Sequence, residues 1–116
     1  MSMGNINMHG AGKYRNIVMI QRPVWSTDAR GGKTVSEWED VIKTYARVRP
    51  LSGREFWQAQ QAQSQIEGVV EMRYMPGIDI TSDMRVMYQG RHLHIEHILS
   101  PNERREELHI YYREAQ

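Results

Sequence analysis

The run HLHIEH places His92, His94 and Glu96 at alternate positions, so on a β-strand two imidazoles and a carboxylate share one face. A His-x-His pair beside a carboxylate can bind zinc or iron. The same pattern is also an ordinary polar outer face opposite Leu93, Ile95 and Leu99. Spacing supplies no third histidine on that face, so no metal or other cofactor is expected there. His97 is expected to point the other way, toward the core or an interface. Cysteine is absent, which excludes disulfides, thiolate catalysis and cysteine-based zinc sites. There is no G-x-S-x-G elbow, glycine-rich phosphate loop or HExxH helix. Asp79 and Asp83 in GIDITSD read as turn and cap residues, and ERREE at 103–107 as a solvated turn or rim contact. No catalytic residue is expected, and the chain reads as a non-enzyme. Arg47 and Arg49 share a strand face with Tyr45 and form a modest patch that could face phosphate along a DNA path.

The most unusual segment is PLSGREFWQAQQAQSQIEG at 50–68, which has five glutamines and no charge from Trp57 to Ile66. Ser52 and Glu55 form an S-x-x-E capping box, which predicts a helix over about 53–66. Phe56, Ala59 and Ile66 fall on one apolar stripe beside Trp57, and Gln58, Gln61 and Gln65 form a second stripe of amides. One expectation is a solvated helix lying across the domain, anchored by Phe56 and Trp57. The other is a surface that hydrogen-bonds to a partner without carrying charge.

The rest of the chain must position this helix, and it reads as β-structure. Residues 1–13 are expected to be a flexible arm and 14–116 a single domain. NIVMIQR is a strand whose continuation Pro23 limits or confines to an edge. Gly31 and Gly32 supply a hairpin turn, and TVSEWED and IKTYARVR read as two separate strands. Val70, Met72 and Tyr74 alternate with Glu71 and Arg73. RVMYQGRHLHIEHIL is a hairpin about a Gln89-Gly90 turn, and Leu108, Ile110 and Tyr112 face one way in a final strand. These signals predict a mainly β fold: a small antiparallel β-barrel of six to seven strands with one inserted helix, closure removing exposed edges.

With 116 residues and a formal net charge of +1, the chain suits one small core and shows no overall bias toward nucleic acid, membrane or an acidic partner. No apolar run approaches the roughly 20 residues of a membrane span.

Six segments, taken together and in order, resemble the head-tail joining, or head closure, family of long-tailed bacteriophages. They are MHGAGKYRNIVMIQRP, DARGGKTVSEWEDV, YARVRPLSGREFWQAQQ, MRYMPGI, MRVMYQGRHLHIEHIL and PNERREELHIYYRE. The resemblance implies a β-barrel assembled as a ring of about twelve copies below the portal, which closes the filled head and offers the tail a platform. The implied partners are the portal or adaptor protein, a tail completion or terminator protein, further copies of the chain, and double-stranded DNA in the channel. The implied location is the virion neck, reached from the host cytoplasm. Within that frame Leu51, Ser52, Gly53, Arg54, Glu55, Phe56 and Trp57, with the amides of Gln58, Gln61 and Gln65, become the expected ring contact. A charge repeated around a narrow ring would repel itself, whereas an amide stripe would not. The competing expectation is an OB-like barrel binding single-stranded nucleic acid through Tyr45 and Trp57 beside arginine.

Overall fold

The structure is a computed structural model and describes residues 12–100 and 106–114. The expected arm at 1–13 and the turn at 103–107 therefore lie largely outside the described residues. Among the described residues are six strands, β1 (Asn16–Thr27), β2 (Lys33–Pro50), β3 (Gly68–Arg73), β4 (Arg85–Tyr88), β5 (Arg91–Leu99) and β6 (Glu107–Glu114), with helix α1 (Gly53–Gln61) between β2 and β3. All pairings are antiparallel, and the order β1-β2-β3-β6-β5-β4 returns to β1 as a closed barrel.

Alternation fills the interior. Val18, Ile20, Ala46, Val70, Met72, Val86, Leu93, Ile95, Ile110 and Tyr112 are buried in one cluster. Tyr112 packs so closely over Gly68 that a Cβ there would run into its ring, and would also lie 2.8 Å from the Arg49 carbonyl oxygen. Only glycine fits where β3 begins.

Two bulges alter the expected pattern. TVSEWED and IKTYARVR are one 18-residue strand. The register passes from Ile20↔Ile42 to Gln21↔Asp40, leaving Val41 as an extra residue that hides the continuity from a period-two reading. In β5 the pairing skips Glu96, moving from Ile95↔Tyr112 to His97↔Tyr111. After the skip Ile98 turns inward, His97 becomes exposed and Leu99 is left 44% exposed. The inward placement expected of Leu99 is corrected by that single residue, and of the two placements expected of His97, core or interface, it excludes the core.

Pro23 sits inside β1, paired with Trp38. It is tolerated because β4 reaches only as far as Gln21, so β1 beyond that point has β2 as its only described neighbour. The two strands run on past the barrel as a two-stranded ribbon.

The helix is shorter than predicted. It ends at Gln61, where Ser64 N–H donates to the Ala59 carbonyl at 2.8 Å and Gln63 N–H to the Gln60 carbonyl at 3.0 Å. This is a Schellman closure, and Gln63 takes the left-handed position at φ 56°. Gln65 and Ile66 therefore leave the helix, and the apolar and amide stripes end with it.

Candidate functional site

The capping box is present: Glu55 N–H donates to Ser52 Oγ at 3.2 Å, and Ser52 N–H donates to Glu55 Oε1 at 2.9 Å. The same Glu55 carboxylate accepts two hydrogen bonds from Arg49, at 2.7 and 3.0 Å, in the forked geometry guanidinium provides. Arg49 Nε donates to Glu71 Oε2 at 3.0 Å. One arginine thus joins the end of β2, the first turn of α1 and the middle of β3. Its hydrogen bonds to Glu55 hold the Glu55 carboxyl down at about 2, against the opposing effect of burial, with Ser52 adding to the same direction.

Glu71 lies on the outward side of β3, as alternation predicts, but it is buried rather than solvated. The side chains around it are Arg49, Arg47 at 3.6 Å, Lys13 at 3.8 Å and His109 at 3.7 Å. Glu107 beside it accepts from Lys13 at 2.7 Å, from the Tyr14 hydroxyl, and faces His109 Nε2 at 2.8 Å. Burial works against the Glu107 charge, but the bonds from Lys13, Tyr14 and His109 outweigh it and hold its pKa at about 2. Burial and the Glu107 carboxylate together push the Tyr14 hydroxyl up.

On this base α1 stands away from the barrel, with no buried residue. Phe56 and Trp57 are 51% and 65% exposed, so they are not anchors. The half-buried face is instead Leu51, Glu55 and Ala59. Between this face and the barrel wall lies an open groove of about 250 Å³, lined by Leu51, Ala59, Ile66, His97, Leu99 and Tyr111 among others. The rings of His97 and Tyr111 are tilted against each other at 6.0 Å. Gln58 borders the groove, while Gln61 and Gln65 are exposed, Gln65 off the helix altogether. Ser52, Gly53 and Arg54 are exposed at the helix start.

The two arginines of the expected phosphate patch both reach Glu71, Arg49 at 3.0 Å and Arg47 at 3.6 Å, but differ in how far they are committed to partners. Arg49 donates to two carboxylates and the Pro50 carbonyl. Arg47 is half exposed beside the exposed Tyr45. His92 is hydrogen-bonded to Arg85 at 3.2 Å, and Glu96 accepts from Arg113 at 2.9 Å. Burial first, then the positive charges of Arg113 and Arg85, push the His94 pKa down. Glu71, Glu107, His109, Lys13 and Tyr14 carried no signal as a group in the sequence. The one available hint was Glu71 itself, a lone carboxylate between Val69, Val70 and Met72.

The described residues thus form a closed six-stranded antiparallel barrel carrying one helix, none of whose residues is buried. The signature of the phage head completion protein family matches residues 10–115, and the chain belongs to that family. It is a structural head component and not an enzyme. It is 33% identical over 79 residues to head completion protein gp16 of Bacillus phage SPP1, covering 68% of this chain and 70% of that protein. Among solved structures it is similar to protein SF1141 from Shigella flexneri 2a, with a TM-score of 0.67, 24% identity, and coverage of 91% of this chain and 96% of that one. It is also similar to a chain of the native gene transfer agent virion, with a TM-score of 0.63, 13% identity, and coverage of 89% and 96%. These two likenesses concern the fold.

Proposed function

We propose that this head completion protein acts as a ring of about twelve copies below the portal, closing the DNA-filled head and forming the platform on which the tail is attached. Its partners in this reading are the portal or adaptor protein, a tail completion or terminator protein, neighbouring copies and the double-stranded DNA that passes through. Its place is the virion neck, reached by assembly in the host cytoplasm. The segment Leu51–Trp57 and the glutamines after it make the contact between neighbours or neighbouring rings, and Arg47 faces the DNA path.

The observation that carries this reading is the state of α1. Its first turn is fixed by the Ser52–Glu55 box and the Arg49 fork, yet none of its residues is buried. A helix of nine residues is marginal on its own in water. Holding it by one end leaves Phe56, Trp57 and the amides free for another molecule, as expected of a heterologous ring interface.

The reading is tested by deleting the gene from the phage and imaging the particles by electron microscopy. Heads that package DNA and then leak it support closure. Empty heads, or normal infectious virions, contradict it.

A further inference from the structure

Glu71, Glu107 and His109 each offer one ligand atom, and the three atoms lie within 4.8 Å of one another. The fold brings them together through register: Glu71 pairs directly with His109 across β3 and β6, and Glu107 is two residues from His109 on the same side of β6. The Glu71 side chain is 6% exposed, and its Oε1 receives no hydrogen bond from the described residues, while Oε2 takes Arg49. A buried carboxylate oxygen without a hydrogen-bond donor is costly, and a ligand that coordinates it directly would remove that cost. Two cations approach that oxygen without filling it, Arg47 Nη1 at 3.6 Å and the Lys13 ammonium at 3.8 Å, and of the two it is Lys13 that also reaches Glu107, 2.7 Å from its Oε2.

We propose that Glu71, Glu107 and His109 form a binding site for a first-row divalent cation such as Zn²⁺, with Lys13 as the displaceable internal cation that occupies it otherwise. Two carboxylates and an imidazole are a donor set such ions accept. Ligand atoms held about 2.1 Å from one ion stand about 3 to 3.5 Å apart. His109 Nε2 lies 2.8 Å from Glu107 Oε1 and 3.7 Å from Glu71 Oε2, the oxygen that also takes Arg49, and all three ligand atoms lie within 4.8 Å, so side-chain rotation must draw the set together around an ion. Glu55, Glu71 and Glu107 are already balanced by Lys13, Arg47 and Arg49, and an entering ion must therefore replace a positive charge. Arg49 is held by two carboxylates, whereas Lys13 is 35% exposed on the chain before β1. Lys13 is the group that leaves. Because Tyr14 donates to the same Glu107, ion binding also loosens the hold of the Lys13–Tyr14 segment on the β3–β6 wall.

The test is a titration of the full-length chain with Co²⁺, read by visible absorption, followed by displacement with Zn²⁺ and calorimetry. The wild type is expected to bind one equivalent. Lys13→Ala is expected to bind about tenfold more tightly because a competing, partly exposed ion pair is removed. Glu107→Gln and His109→Gln are each expected to weaken binding at least about 100-fold, with circular dichroism checking the fold. The double variant His92→Ala/His94→Ala is expected to bind as the wild type does. Absence of one-to-one binding in both the wild type and Lys13→Ala overturns the site. So does binding that survives Glu107→Gln and His109→Gln together, or that disappears with His92 and His94.

Discussion

β3 and α1 are neighbours along the chain and meet opposite fates. From Gly68 to Met72 every residue of β3 is buried, on both faces, whereas α1 buries none. β3 is held by its own core on one side and by the Arg49, Lys13 and His109 side chains on the other. α1 is held by its end. A side chain enclosed by the fold stabilises the fold and is unavailable to partners; one left outside a fixed backbone contributes little to stability and is free to bind. Substitutions in the two regions should therefore separate two readouts, unfolding free energy and assembly onto portal-bearing heads.

The largest stability effect is expected in the barrel. Ile110→Ala, opposite Val70 in the interior, should lower the unfolding free energy by about 2 to 5 kcal/mol in urea titrations. Next is Arg49→Ala, which strips Glu71 and Glu55 of their shared partner and leaves a buried carboxylate under-compensated, for a loss of about 2 to 3 kcal/mol. Arg49→Lys should recover little, because a single ammonium cannot serve both carboxylates in forked geometry. A cost below about 0.5 kcal/mol for Arg49→Ala would show that the helix is held some other way.

Acid should act on the same junction. Glu55 and Glu107 have folded-state pKa values of about 2, below their ordinary value of 4.5. A depressed carboxylate pKa means the unfolded chain binds protons first as pH falls, so the stabilisation is complete above about 4.5 and is lost progressively between there and 2. Glu55→Gln keeps a side chain able to cap the helix but removes one of the two titrations. Its stability should be lower than wild type at pH 7 and should fall less steeply between pH 4.5 and 2. An unchanged slope would place the acid sensitivity elsewhere.

On α1 the expectation reverses. Phe56→Ala and Trp57→Ala should change unfolding free energy by no more than about 0.5 kcal/mol, since both side chains are more than half exposed. Assembly on portals should be lost or strongly weakened, and triple replacement of Gln58, Gln61 and Gln65 by Ala should weaken it less, because Gln65 lies off the helix. Intact assembly in both variants would remove α1 from the interface.

The difference between the two regions also shows what the sequence could convey. Period-two alternation located the barrel strands, the Gln89-Gly90 turn appears with φ of 51° and 77°, and the capping box fixed the helix start. Each is a local signal. The bulges at Val41 and Glu96 broke the alternation by one residue and so concealed the length of β2 and the outward turn of His97 and Leu99. The Glu71 network was invisible for a different reason: its members come from positions 13, 47, 49, 107 and 109, brought together by strand register and, for Lys13, by the path of the chain before β1. The helix was legible as a contact candidate, but its outward orientation depends on Arg49 finding Glu55, a pairing no periodicity announces.

The smallest predicted effect addresses the end of the helix that the sequence concealed. Gln63 adopts φ 56° at the Schellman position, a conformation glycine accepts without the Cβ strain of an L side chain. The amide run continues through this point with no glycine to mark it, which is why the helix was expected to reach residue 66. Gln63→Gly should relieve the strain, offset in part by the greater freedom of the unfolded chain, for a net gain of a few tenths to about 1 kcal/mol. Gln63→Val should cost about 1 kcal/mol or more, since a β-branched residue tolerates this region poorly. The pair of variants sharpens the comparison with β3: if stability follows the φ requirement while portal assembly is unchanged by Gln63→Gly, the helix end acts as a structural stop and the binding surface lies within Gly53–Gln61 itself. If Gln63→Gly is destabilising, the closure is not formed in solution, and the helix runs on toward Ile66.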